Sequence, residues 1–134
     1  AAAETAPADQ TPVSGSIDGR AAAAANGVHV KSEAVQISRL DAEMEPAIRA
    51  VAQAAQRLGL PTPVITSGND SRHMNGSLHY SDQALDFRGN NISAAQGQAF
   101  QDEVRAILGE RYDVEFETFA NTSNNHLHVE FDPD

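Results

Sequence analysis

Five histidines and no cysteine stand in this 134-residue chain, and four of those histidines fall in two short polar stretches. His79 lies in the run Ser77-Leu78-His79-Tyr80, ahead of Asp86, while His126 and His128 flank Leu127 near the C-terminus. A zinc ion in a hydrolase takes three protein ligands through nitrogen or oxygen at about 2 Å and keeps one position open for water. His79, Asp86 and one of the two C-terminal histidines supply that number. Without cysteine, a thiolate site, thiolate catalysis and disulfides are all excluded, so an open His/Asp/His set of the catalytic kind is the natural reading. Residues two apart on an extended strand share a face. Both His126 and His128 can then enter one cleft, one holding the metal while the other touches substrate. His29 stands alone and reads as an ordinary surface or hydrogen-bonded histidine.

Composition limits the partners. The formal charge is −10, from 19 acidic and 9 basic residues, which argues against nucleic acid, whose backbone is held by Lys and Arg. The same charge disfavours general adhesion to anionic membranes or wall polymers. A wall substrate would have to be recognised by shape at the site. No apolar run reaches the roughly 18 residues of a membrane span, and the start lacks the basic and apolar regions of a signal peptide. The chain opens at Ala1 rather than methionine, which leaves room for a leader or larger precursor ahead of it.

The elements that must position these residues follow from periodicity. Residues 1–27, rich in Ala, Pro, Ser, Gly and Asp, read as a flexible tail or linker, with Ala21 to Ala25 too short to persist as a helix alone. The folded domain is expected over residues 28–134. Val28-His29-Val30 and Val35-Gln36-Ile37 alternate as strand edges or loop anchors. Met44, Ile48, Val51, Ala55 and Leu58 recur at helical spacing within Leu40 to Leu58, with Pro46 in the first turn and Gly59 as the stop. Pro63 to Thr66 and Ala84 to Arg88 read as strands. Ser93 caps a helix running to about Glu110, whose core face includes Phe100, Val104, Ile107 and Leu108. Strands over Val114 to Glu117 and His126 to Phe131 follow, joined by the polar loop Thr118 to Asn125. The expected fold is α+β, a small, mostly antiparallel sheet covered by helices.

Ser-x-His, with Ala84 and Asp86 five and seven positions beyond His79, then His-x-His followed by Val129-Glu130-Phe131-Asp132-Pro133, resembles the D-Ala-D-Ala metallopeptidase and hedgehog-like superfamily. The pattern is most similar to phage and bacterial peptidoglycan peptidases of the M15 type, over roughly residues 35 to 134. The resemblance implies a hedgehog/D-Ala-D-Ala peptidase-like fold with Zn2+ on His79, Asp86 and His128. It places His126 beside the metal to position or stabilise the reacting group, and His73 at the family's distance before the first ligand. The family's catalytic carboxylate precedes the His-x-His pair at a strand end, a location that Glu117 matches as general base. Glu115 is assigned to the opposite strand face and ranked below it. Arg72, with its fork of donors, and His73 could each donate to an oxyanion or to a substrate carboxylate. Ser77 is placed to orient a ligand, and Tyr80 and Phe87 read as packing residues. Two departures stand out. Asp82 occupies a position where the family commonly has glycine, and eight residues, Thr118 to Asn125, separate Glu117 from His126, so that loop must fold back.

The leading expectation is therefore a zinc metallopeptidase acting on peptidoglycan stem peptides or cross-links, as an endopeptidase or carboxypeptidase. Its place would be the periplasm, the cell exterior or a phage virion, as for an endolysin-like enzyme. The alternatives are a non-catalytic hedgehog-like zinc-binding module and a structural virion component.

Overall fold

The computed structural model describes residues 15–68 and 83–133. In chain order these form β1 (Ser16–Ile17), α1 (Gly19–Ala25), β2 (His29–Val30), β3 (Leu40–Asp41), α2 (Met44–Leu58), β4 (Val64–Ser67), β5 (Ala84–Arg88), α3 (Ala94–Leu108), β6 (Tyr112–Glu117), a 3-10 turn (Thr122–Asn124) and β7 (His126–Phe131). Among the described residues the main sheet has the order β2-β4-β5-β7-β6, and β1 and β3 make a second, two-stranded sheet. In this sheet β2 and β4 run parallel, and β4-β5, β5-β7 and β7-β6 are antiparallel. Among the described residues the architecture is α+β, with three helices and a mostly antiparallel sheet.

Strand alternation divides the sheet into an apolar and a polar face. Leu85 and Phe87 of β5, Val114 of β6, and Leu127 and Val129 of β7 are almost wholly buried, joined in one core with Met44, Ile48 and Val51 of α2 and Phe100 and Val104 of α3. Truncating Phe87 to alanine would cost about 3–5 kcal/mol through lost burial and the cavity left behind. Asp86, His126, His128 and Glu130 occupy the alternate positions, so burying one face of the sheet turns these polar residues to the other.

Local chemistry sets the helix ends. Ser93 accepts from Gln96 N (3.0 Å) while its own N–H donates to the Gln96 side chain (2.8 Å), a capping box that starts α3. Gly59 closes α2 at φ 69°, a left-handed conformation that favours glycine, and Pro46 sits in that helix's first turn, where a missing N–H costs nothing. Side chains of α3 cover the outer edge of β6: Arg105 Nε donates to the Val114 carbonyl (2.8 Å) and Gln101 Oε1 accepts from Phe116 N (2.9 Å). An edge satisfied in this way is poorly placed to recruit another strand.

Three expectations change. Residues 15–26, assigned above to the tail, belong to the folded unit: Asp18 caps α1, and Ala22 and Ala23 enter the core. A Cβ at Gly19 would collide with the Ile37 carbonyl and the Leu40 side chain, so only glycine permits this approach. Tertiary burial thus sustains a helix too short to persist alone, and the boundary expected at Val28 lies inside the fold; residues 1–14 are outside the described residues. Leu40 and Asp41 pair with β1 rather than beginning α2. Ile107 is 36% exposed in the last turn of α3 instead of joining its core face, while Val35 and Ile37 take the loop-anchor alternative given for them.

Candidate metal centre and its flanks

Register across three strands assembles the polar face. Asp86 of β5 lies opposite His128 of β7, which lies opposite Glu115 of β6; one step along, Arg88, His126 and Glu117 form a second row. Directly opposed side chains on one face approach within about 5 Å at Cβ. Register therefore converts residues distant in sequence into neighbours.

Asp86 and His128 form the tighter pair. Asp86 Oδ1 is 2.7 Å from His128 Nδ1, and Oδ2 accepts from Ser67 Oγ at 2.7 Å. Burial alone would raise the Asp86 pKa, but hydrogen bonding and the charge of His128, with help from Ser67 and His126, outweigh it and hold the carboxyl below its ordinary range. For His128, burial favours the neutral ring, yet Asp86, then Glu130 and Glu117, push its pKa up to about 9. The geometry agrees with that direction, because Nε2 also meets a carboxylate, Glu130 Oε1, at 3.2 Å. With an acceptor at each nitrogen, the ring carries both protons.

Asp86 Oδ1 and His128 Nδ1 are donor types that zinc takes; were a metal bound, these two atoms would hold it, with Nε2–H kept on Glu130, the arrangement by which a carboxylate orients a metal-binding histidine. His79, the third ligand implied above, lies outside the described residues, as do Arg72, His73, Ser77, Tyr80 and Asp82. Among the described residues no group of three His, Cys, Asp or Glu is arranged to hold a metal.

His126 and Glu117 form the second pair. His126 Nδ1 donates to the Asn124 carbonyl (3.0 Å), leaving Nε2 facing Glu117 Oε1 at 2.6 Å. A contact that short between nitrogen and a carboxylate needs one proton between them, and either group can carry it. Nε2 is also 3.8 Å from Asp86 Oδ1, so the second pair abuts the first. The loop of residues 118–125 folds back because its own side chains and the neighbouring turn at Gly89 and Asn90 satisfy its backbone. Asn125 Oδ1 accepts from Phe119 N (2.9 Å), Asn90 Nδ2 donates to the Ser123 carbonyl (3.1 Å), and Gly89 N donates to the Asn125 carbonyl (3.0 Å). The Phe119 ring packs 5.3 Å from the His126 ring.

Of the residues singled out from sequence, Asp86, Glu117, His126 and His128 meet on one face. His29 is exposed on β2, the edge strand farthest from β6, and Phe87 is buried in the core. The assignment of Glu115 to the face opposite Glu117 is corrected: residues two apart on a strand share a face, and Glu115 pairs with His128 as Glu117 does with His126. Three residues of this face were missed. Glu130 and Arg88 each stand two residues from a named site residue, so strand alternation would have found them. Ser67 had no local signal. Pairing slips between Ile65, opposite Phe87, and Ser67, opposite Asp86, and such irregularities re-aim side chains.

A cleft of about 800 Å³ opens beside His128, lined by Glu110, Asp113, Glu115, Glu117 and Glu130. On the His126 side a smaller pocket of about 500 Å³ is lined by Lys31, Thr66, Arg88 and Asn90. Compared with known proteins, the chain matches no protein-family model and no curated protein.

Proposed function

We propose that this protein is a zinc-dependent peptidase that hydrolyses an amide bond in peptidoglycan stem peptides or cross-links, built on a hedgehog/D-Ala-D-Ala peptidase-like variant of its α+β architecture. The observation that carries the reading is the adjacency of two histidine–carboxylate pairs on one sheet face. Asp86 with His128 has the donor chemistry of a metal site, and Glu117 with His126 holds a transferable proton beside it. A zinc ion held by Asp86, His128 and His79 supplies Lewis acidity that activates water near neutral pH and polarises a carbonyl.

The chain's own residues do the rest. Ser67 and Glu130 orient the two ligands from behind. Glu117 accepts a proton at Oε1 and returns it to the departing amine, the work of a general base turned general acid. His126 steadies that carboxylate through Nε2, its ring held by the Asn124 carbonyl, and stands beside Asp86 to position the reacting group. His73 and Arg72 are proposed as donors to the oxyanion that develops on the scissile carbonyl. The proposed setting is the periplasm, the cell exterior or a phage virion, where the wall is in reach.

The decisive experiment is digestion of purified peptidoglycan, with the released fragments identified by mass. Hydrolysis that stops on chelation and returns with zinc is expected. Full activity of His128→Ala would sink the proposal.

A further inference from the structure

Leu58, Ile107 and Phe119 are the large apolar side chains that stand exposed among the described residues. Leu58 and Ile107 lie in the last turns of α2 and α3, where a single apolar residue in water needs no explanation. Phe119, 43% exposed, differs in position: its ring packs 5.3 Å from the His126 ring, at the edge of the proposed reaction centre. It is also held. Its N–H donates to Asn125 Oδ1 (2.9 Å), and the Asn125 carbonyl accepts in turn from Gly89 N (3.0 Å), so the loop presents this ring from a fixed backbone.

The loop around the ring is polar and uncharged. Thr118 to Asn125 contains no charged residue in a chain whose formal charge is −10, and Thr118, Asn121, Thr122, Ser123 and Asn124 are all exposed. Internal bonds use only part of this capacity. Asn121 Oδ1 accepts from Ser123 N and Oγ (3.1 and 2.7 Å), and Asn125 Oδ1 from Phe119 N. Among the described residues, the amide N–H groups of Asn121 and Asn125, the whole Asn124 side-chain amide and the Thr118 and Thr122 hydroxyls have no protein partner. Each such amide offers two donors, and its oxygen accepts. Ser123, Asn124 and Asn125, joined by Asn90, also wall the pocket of about 500 Å³ beside His126.

A flat apolar ring flanked in its own loop by neutral amides and hydroxyls suits one kind of ligand. A membrane or protein partner needs a broad apolar patch, an anion needs cations in the loop, and a bare alkyl group leaves the amides unused. A neutral pyranose uses both parts: its ring C–H groups form an apolar face that lies on an aromatic ring, while its hydroxyl and acetamido groups donate and accept at the rim. We propose that loop 118–125 is a saccharide-binding surface for a neutral N-acetylated sugar, with Phe119 as the platform and Asn121, Asn124 and Asn125 as hydrogen-bonding groups. The inference rests on the peptidoglycan reading above and adds to it a hold on the glycan strand next to the peptide being cut. The sugar sits beside His126, and its peptide substituent leads across the sheet face toward Asp86 and His128.

The test uses the full chain and chitotriose, a neutral N-acetylglucosamine trimer that carries no peptide. Titration followed by NMR is expected to move the Phe119 ring signals and the side-chain amides of Asn121, Asn124 and Asn125 saturably, with or without zinc. Phe119→Leu keeps an apolar residue but not the flat face, and should weaken binding about 10-fold, the scale of one aromatic contact. Asn124→Ala should weaken it by a smaller factor and Leu58→Ala not at all. No shift in the wild-type loop, or binding unmoved by Phe119→Leu, overturns the saccharide surface. A second arm compares a disaccharide–peptide from peptidoglycan with the same peptide freed of its sugar. The zinc-loaded protein should cleave the sugar-bearing form with a KM about 10-fold lower, and Phe119→Leu should bring the two together. If Phe119→Leu raises KM for both equally, the ring holds peptide rather than sugar and the proposal falls. If neither is cleaved, the peptidase reading fails on these substrates, and the chitotriose titration alone decides whether the saccharide surface stands.

Discussion

The two histidine–carboxylate pairs on β7 stand side by side and are built differently. Asp86 and His128 are about four-fifths covered, with side-chain exposures of 19% and 21%, and each is held from behind, by Ser67 and Glu130 respectively. Glu117 is 41% exposed and opens onto the larger cleft. The difference is one of freedom. A group that holds an ion must be fixed in place by its surroundings, whereas a group that passes protons must reach water and substrate.

The largest effect should come from breaking the fixed pair. Asp86→Ala or His128→Ala is expected to lower bound zinc from one equivalent toward none and to cut hydrolysis by more than about 10³-fold, the scale of a lost Lewis acid. Metal analysis beside a peptide-cleavage assay checks both. Glu117→Gln should separate the pairs: turnover falls by about 10²- to 10⁴-fold while zinc content stays at the wild-type level. Loss of zinc together with turnover would show that the two pairs act as one unit. Ser67→Ala, which leaves Asp86 without its support, should weaken zinc binding by about 10- to 100-fold and change turnover little at saturating zinc, as a competition titration against a chelating dye would report.

The smallest effect is a dependence on pH in the metal-free protein. His128 is raised to about 9 from an unfolded value of about 6.5. Its contribution to stability is therefore complete below about 6.5 and disappears as pH climbs through about 9. Asp86 is lowered, so its contribution is present above the ordinary carboxylate range and is lost as pH falls through the depressed value. Melting temperatures in chelator should show the wild-type advantage over His128→Asn shrinking on the alkaline side. Below pH 9, zinc uptake should release a proton from His128, measurable as a buffer-dependent heat. A binding heat independent of buffer would mean that His128 is not the group displaced.

The same division, between what one strand specifies and what several strands must agree on, governs how much was legible beforehand. The alternation His126-x-His128 placed both rings on one face without any knowledge of the partner strands, because period two is a property of a single chain segment. Applied consistently, that rule also places Glu130 with His128, Arg88 with Asp86 and Glu115 with Glu117. Helical spacing in α2 and the Ser93 cap were likewise local and readable. The fold class followed from the order of these segments.

Other features could be settled only by tertiary structure. Gly19 and the alanines of α1 look like linker composition until Ile37 and Leu40 pack against them, since burial by distant residues is what sustains so short a helix. Ser67 reaches Asp86 only because the β4-β5 pairing slips by one residue, a change that moves a side chain to the other face. The pairing of Glu117 with His126 depends on an eight-residue loop closing through its own asparagines. From its own local patterns, then, the sequence determined which residue types were available and how each would alternate on its strand. Register between strands remote in the chain decided which of them meet, because no local periodicity carries that information.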